Sequence, residues 1–390
     1  MIITAIETVV VNAIHRNWIF VKVVTDQPGL HGWGEATLEW KTRSVIGAIA
    51  DLEPLLVGMD PRDIEQCFQV MTRHGFWRMG VIGMSAISGI EIALWDILGK
   101  SLDTPVWRLL GGKCRDHLRT YTHLGMGNMS SVYETDGAEE LAERGRQVVD
   151  AGYDAVKVVS IPYAHYIAPN RAIDSVGMAM DSLRQAVGPD VDIMVDFHGR
   201  PASAALARDF LRALEPARPL FAEEPVPPEQ IDNCVELTRT SRISIAAGER
   251  LIGRAAFEDA IRRRAFHIAQ PDIVHVGGIS EAKKIAAICE TAGIGVAPHN
   301  PLGPIAGIAA LHFGVSTPNH IIQEEMVGAV PWYDDVVQWP IDRTPGRWDL
   351  PEKPGLGLEV NEAEIARHPF EQEVLHTRNA VMPDGTVVDW

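Results

Sequence analysis

The sequence predicts a (β/α)8-type barrel preceded by a smaller α+β domain. Three observations carry that expectation. Residues 1–117 run first as strands and then as a block of helices. From Leu118 onward, eight short apolar runs alternate with amphipathic segments. The runs end, almost one after another, on an ionisable residue.

In the first segment, Ile2–Val11 and Trp18–Thr25 are rich in Ile, Val and Thr, which pack well on a pleated surface. A third short strand ends in Gly32-Trp33-Gly34-Glu35. From Thr42 to Gly111 the apolar residues recur at helical spacing, as in IGAIADLEPLL and AISGIEIALWDILGK. Strands followed by a run of helices read as a separate α+β domain, 1–117. The eight runs that follow are 118–125, 154–160, 192–198, 219–225, 243–249, 267–272, 293–299 and 320–325. Segments between them, such as AEELAERGRQVVDAG, have helical periodicity and often stop at Gly. Eight such units define a barrel domain, 118–350. Its eighth helix is expected to be short or displaced, because Val327–Arg347 is rich in Trp, Pro and Asp. A doubly wound sheet is the main rival, and it lacks a Gly-rich turn after its first strand. Residues 351–390 read as a tail returning to the first domain.

Composition narrows the function. Lys and Arg number 35 against 52 Asp and Glu, a net charge of −17. That balance argues against nucleic acid or an anionic membrane surface as partner. No uncharged apolar run approaches the ~20 residues of a bilayer span. The opening MIITAIETVV carries Glu7 and no basic segment, so it reads as a strand and not a signal peptide. Cys67, Cys114, Cys234 and Cys289 lack CxxC spacing, so neither a zinc site nor a disulfide framework is indicated. A reduced, cytoplasmic protein is the expectation.

Barrel enzymes place their chemistry at the C-terminal ends of the strands. The second run supplies Lys157 and the third Asp196 and His198. The next five supply Glu223, Glu249, Asp272, His299 and Glu324. From Asp196 the steps are 27, 26, 23, 27 and 25 residues, each about one strand–helix unit. Asp196, Glu223 and Glu249 lie on consecutive strands and are expected to converge. Three carboxylates without cysteine suit a hard cation, Mg²⁺ first and Mn²⁺ second. Alternation along a strand points His198 the same way as Asp196, while Glu224 and Glu325 point away from the mouth. Asp272 is placed to hold one ring nitrogen of His299 and raise its basicity, with His275 behind it. His123, ending the first run, is placed to touch substrate. Lys157 has no second lysine two residues on, so it reads as a partner for carboxylate oxygens.

The segments GWGEA, AISGIEIALWDILGK, VDFHGR, EEP, AAGER, QPD, APHNPLGP and QEE occur together and in order. On them the chain resembles the enolase superfamily, in its mandelate racemase-like branch, over essentially its whole length. The resemblance implies a capping α+β domain on a modified (β/α)7β barrel, with Mg²⁺ on Asp196, Glu223 and Glu249. It implies His299, paired with Asp272, as the base that removes the proton beside a sugar-acid carboxylate. His198 would protonate the departing 3-hydroxyl, and a protonated Glu324 would hydrogen-bond the enediolate; stereochemistry decides whether the two histidines exchange roles. The product would be a 2-keto-3-deoxy acid, and the Asp-x-His form favours D-galactonate as substrate. A symmetric homo-oligomer follows by analogy.

Loops of the capping domain select the substrate in this family. The segment from Ala13 to Trp18 is expected to fold over the barrel mouth, with His15, Arg16 and Asn17 as donors and Trp18 as an apolar wall. Residues 125–137 and 161–176 depart from the family pattern. Arg16, Arg78 and Arg200 are candidate carboxylate or hydroxyl partners. The rival readings are a racemase, epimerase or cycloisomerase of a related acid, and a metal-binding sensory relative without activity.

Overall fold

The computed structural model describes residues 1–129 and 137–390. Most of the 125–137 loop therefore lies outside the described residues. Strands β1 (Ile3–Asn12), β2 (Asn17–Thr25) and β3 (His31–Glu35) form an antiparallel sheet in that order. Helices α1 (Thr42–Leu56), α2 (Ile64–Arg73) and α3 (Gly80–Ser101) follow. Helix α3 lies against β3 at very short range. A Cβ at Gly32 would sit 2.0 Å from the Ala93 carbonyl oxygen, and one at Gly34 1.9 Å from that of Gly89. Glycine at those two positions is therefore a packing requirement, which gives the Gly-Trp-Gly segment its physical meaning. Helix α3 is long and apolar enough to cross a bilayer, but most of it is buried inside the protein.

The eight runs become eight strands. They are β4 (His117–His123), β5 (Ala155–Val158), β6 (Asp192–Asp196), β7 (Phe221–Glu223), β8 (Ile245–Ala247), β9 (Ile268–Ala269), β10 (Gly295–Val296) and β11 (Gln323–Glu324). Each pairs in parallel with the next from β4 to β10. The ring closes where β11 pairs with β4 and a parallel bridge joins Val296 to His320. A ring of Tyr121, Ala155, Met194, Phe221, Ala246, Ile268, Ala297 and Ile322 fills its interior. Most strands are shorter than the apolar runs, so several expected strand-end residues stand in the turns beyond. Among the described residues no helix stands between β11 and the strand Arg347–Asp349, which adds antiparallel to β4. The displaced eighth helix is thus an absent one, and the barrel is (β/α)7β.

The final segment bonds to the first domain. Asn12 N–H donates to the His368 carbonyl at 2.8 Å, and Asn17 Nδ2 to that of Glu371 at 2.8 Å. Three buried carboxylates of the first domain complete the join. Glu35 accepts from Gly303 N at 2.7 Å and Ala306 N at 2.9 Å, at the start of the last barrel helix, Pro304–Val315. Glu91 accepts from Ile279 N at 2.8 Å and Ser280 N at 2.9 Å, at the start of the helix Ile279–Thr291. Asp96 accepts from Trp33 N at 2.9 Å and Leu356 N at 2.8 Å. Each carboxylate satisfies donors that a helix or loop leaves open.

Burial raises the Glu35 carboxyl from 4.5 to about 7, against the pull of Thr37 and the two backbone donors. A group whose value rises on folding stabilises fully below its unfolded value and loses that contribution as pH climbs through its folded value. Glu35→Gln turns an amide nitrogen toward a backbone N–H. The variant is expected to lose about 1–3 kcal/mol, read as a lower urea midpoint. Its stability should also fall less steeply than wild type between about pH 4.5 and 7. An unchanged midpoint would show that Glu35 does not join the domains.

Candidate active site

The strand ends surround a cavity of about 500 Å³ at the barrel mouth. Its wall includes His123, Lys157, Asp196, His198, Glu249, His299 and Glu324. Buried Lys157 lies at its centre. Its ammonium is 2.7 Å from Glu324 Oε1, 3.1 Å from Glu223 Oε1 and 3.6 Å from Asp196 Oδ2. Burial alone would lower its pKa, but the surrounding carboxylates reverse that and hold it well above the usual lysine value.

His198 and His299 follow the third and seventh of eight strands, so they stand across the ring from each other. Their surroundings differ. His299 Nδ1 lies 2.7 Å from Asp272 Oδ2, and its Nε2 lies 3.4 Å from Glu249 Oε2. Burial pulls the His299 pKa down, but Glu249 and Asp272 outweigh it and hold the ring well above the ordinary value. The two carboxylates favour the imidazolium form of the ring. Asp272 is itself oriented by accepting from Val274 N at 2.8 Å, as the cap of the short helix Ile273–Val276. His275 Nδ1 meets Ser85 Oγ at 2.9 Å behind this pair, joining it to α3.

His198 Nε2 lies 3.1 Å from Asp196 Oδ2. Its orientation does not come from strand alternation. Strand β6 ends at Asp196, and His198 stands beyond it with a left-handed φ of 52°. Asp196 Oδ1 accepts the His198 backbone N–H at 2.9 Å and fixes this turn. Glu249 likewise lies past β8, after Gly248. Glu224 turns away from the mouth and pairs with Arg250 at 2.5 Å. Glu325 also turns away, toward the Tyr153 hydroxyl.

Glu324 stands in the cavity wall among cationic and donor groups. Burial raises its pKa, but Lys157, His123 and His299 together hold it well below the usual range. It accepts from the His123 ring at 2.8 Å and from Asn300 N at 2.6 Å. These neighbours favour the ionised form of Glu324.

Of the expected metal ligands, Asp196 and Glu223 are buried, and the Glu249 side chain is 15% exposed. Burial, with Asp196 as the next cause, raises Glu223 above the usual glutamate value, and burial raises Glu249 well above it. Glu249 Oε2 is shielded and has no hydrogen-bond partner among the described residues. No three His, Cys, Asp or Glu side chains among the described residues converge at ligating distance. The charge standing among the carboxylates is the Lys157 ammonium.

The 13–18 segment departs most from expectation. Asn17 and Trp18 are almost fully buried and are absent from the cavity wall. Trp18 stacks on Phe20 and meets Tyr333 edge-on at 5.6 Å, because an apolar ring gains more from the domain join than from a wet mouth. Asn17 is held by the 371 backbone. Arg16 is a brace: it donates to the Pro301 carbonyl at 2.5 Å and pairs with Glu39. Arg78 is exposed and bonds the Thr72 carbonyl. Arg200 is buried against the Ile161 carbonyl and the Tyr163 ring. The capping-domain wall is instead Leu38–Lys41, joined by Trp390 from the final segment. Both were missed. Trp40 stands only four residues after the GWGEA segment, whereas nothing in the sequence ties Trp390 to the mouth.

Comparison with known proteins agrees with this architecture. The family described as mandelate racemase / muconate lactonizing enzyme, N-terminal domain, matches residues 3–111. The enolase C-terminal domain-like family matches residues 140–364. A D-galactonate dehydratase of Verminephrobacter eiseniae is 40% identical over 383 residues, covering 96% of each chain. One of Cronobacter sakazakii is 39% identical over 381 residues, again 96% of each. A crystal structure of an enolase from Pantoea ananatis, with bound D-gluconate and Mg, aligns with TM-score 0.88 and 32% identity. It covers 100% of this chain and 99% of the other. A mandelate racemase/muconate lactonizing enzyme-like protein from Roseovarius aligns with TM-score 0.88 and 33% identity over 100% of both. Two matched domains, a (β/α)7β barrel and full-length relatives make this chain a member of the enolase superfamily, in its mandelate racemase/muconate lactonizing enzyme branch.

Proposed function

We propose that this protein is a Mg²⁺-dependent sugar-acid dehydratase acting on D-galactonate. The observation that carries the reading is the pair of opposed histidines, each against its own carboxylate, in a chain 40% identical to a D-galactonate dehydratase over 96% of its length. A dehydratase needs a base on the carbon beside the carboxylate and an acid on the leaving hydroxyl. His299, oriented by Asp272, is the base at Nε2. His198 is the acid that protonates the 3-hydroxyl as it leaves. Lys157 offers its ammonium to the substrate carboxylate, and a protonated Glu324 would hydrogen-bond the enediolate. The enol product then tautomerises to a 2-keto-3-deoxy acid.

Asp196, Glu223 and Glu249 would hold Mg²⁺, with Mn²⁺ the next best fit. The donor set supports this: the buried carboxylates of Asp196 and Glu223, the part-buried carboxylate of Glu249, and no cysteine among them. Bound there, the cation supplies Lewis acidity that stabilises negative charge as it develops on the substrate carboxylate. A cation on Glu249 also weakens the hold that this carboxylate has on the His299 proton, which favours the basic form of the ring.

Incubation with a panel of aldonates and aldarates is expected to yield a 2-keto-3-deoxy acid, most rapidly from D-galactonate. An isomer retaining all its oxygens would make the protein an epimerase or cycloisomerase, and no turnover across the panel would overturn the assignment.

His299→Asn is expected to abolish exchange of the α-proton with solvent deuterium, at least about 10²-fold below wild type. Asp272→Asn should slow the same exchange by disturbing the ring's orientation and charge. Exchange at the wild-type rate in His299→Asn would remove His299 as the base.

Metal-free protein should be stabilised by Mg²⁺ in thermal melts, by about 2.7 kcal/mol at a free concentration a hundred times its Kd. The gain should be larger at about pH 8 than at about pH 6. Glu223 and Glu249 have raised values, so at lower pH protons compete with the cation. Equal melting temperatures with and without Mg²⁺ at both pH values would count against this ligand set.

A further inference from the structure

Three polar residues on successive turns of α3, Ser85, Ser88 and Glu91, face the segment that follows Asp272. Glu91 accepts from Ile279 N and Ser280 N, and Ser88 Oγ accepts from Gly277 N at 2.9 Å. Ser85 meets a side chain instead: its Oγ lies 2.9 Å from His275 Nδ1, and both residues are buried. The other nitrogen of that ring, Nε2, lies 3.7 Å from Asp272 Oδ2. The same oxygen lies 2.7 Å from His299 Nδ1. Two histidines therefore face one carboxylate oxygen, and only the His299 contact has hydrogen-bond length.

Counting protons accounts for the difference. Ser85 Oγ also lies 2.8 Å from the Val81 carbonyl, one turn earlier in α3. A carbonyl only accepts, so the single hydroxyl proton goes to Val81 and the Ser85 oxygen accepts from His275. His275 then carries its proton on Nδ1. Burial lowers the pKa of this ring against the pull of Asp272, which favours the neutral form. In that form Nε2 bears a lone pair, which cannot bond a carboxylate, and the longer gap to Asp272 agrees with it. Asp272 Oδ1 is taken by Val274 N, so Oδ2 is left to His299.

We propose that Ser85 and His275 are positioning residues for the base: Ser85 fixes the tautomer of His275, and this keeps Asp272 Oδ2 for the His299 Nδ1–H. The inference rests on the reading of His299 as the base. A proton on His275 Nε2 would donate to Asp272 Oδ2 and compete with His299 for it. Asp272 orients the His299 ring and raises its basicity through that one bond, so sharing the oxygen weakens both effects. Without the Ser85 oxygen, a proton on His275 Nδ1 would be buried with no acceptor. A proton on Nε2 would have Asp272 within a small rotation of the ring, so the tautomer changes. The capping domain thus acts on the base by placing a proton on a neighbouring ring.

NMR of the ring nitrogens in histidine-labelled protein reads the tautomer directly, at about pH 8, where an ordinary histidine is neutral. The His275 signal is the one that His275→Phe or His275→Leu removes. Wild type is expected to carry the proton on Nδ1, and Ser85→Ala to move it to Nε2. With Mg²⁺ present, Ser85→Ala should slow exchange of the D-galactonate α-proton with solvent deuterium by about 10–100-fold. In a His275→Phe or His275→Leu background the same substitution should change exchange by less than about twofold, because no ring is left to compete. A proton on Nε2 in wild type, or an unmoved proton in Ser85→Ala, overturns the proposal. So does a moved proton with exchange at the wild-type rate, or an equal loss in both backgrounds, and in these cases the base reading still stands on His299→Asn. Absence of exchange in wild type overturns the base reading, while the tautomer, read without substrate, decides the Ser85–His275 pairing separately.

Discussion

The structure depends on buried carboxylates of the capping domain that bind backbone N–H groups of the barrel and the final segment. Glu35, Glu91 and Asp96 are each completely buried, and each would be costly there without donors. The donors come from elsewhere in the chain: the start of the last barrel helix, the start of the preceding one, and the backbone at Leu356. Because the bonds run to backbone, they fix the position of whole elements and not single side chains. Glu35 locates the loop that carries His299 and Asn300. Serving the same end, Arg16 binds the Pro301 carbonyl of that loop. The 13–18 segment therefore acts on the site through its brace, while 38–41 faces the cavity.

A second electrostatic arrangement lies inside the first. Asp196, Glu223 and Glu324 surround one lysine ammonium, and Glu249 leans on His299 instead. The two cations hold apart carboxylates that would otherwise repel at close range. The same charges bias the protonation of the site: Lys157 and His123 favour an ionised Glu324, and Glu249 and Asp272 favour a protonated His299. Chemistry that needs a neutral His299 therefore calls for redistribution of this charge, which a divalent cation on the carboxylates supports.

The barrel was legible in the sequence because alternation of apolar runs and amphipathic helices is a local property. The order of ionisable residues was legible for the same reason, since each strand ends about one unit after the last. Strand lengths were less legible. Apolar residues continue past the last ladder bond, so the run 243–249 yields only Ile245–Ala247 as strand. His198 reached the cavity through a left-handed turn held by Asp196, not by the alternation that suggested it.

The sequence alone determined the barrel order and the acids and histidines at its mouth. These follow from periodicity and spacing, which neighbouring residues decide. Only the tertiary structure decided which loop faces the cavity. Trp18 and Trp40 look alike in sequence, but one is covered by Phe20 and Tyr333 and the other stands at the mouth against Trp390. Trp390 is 350 positions from Trp40 and within ring contact of it. It lies there because the final segment is tied to the capping domain, and such long-range closure is set by packing between distant elements and leaves no local trace in the chain.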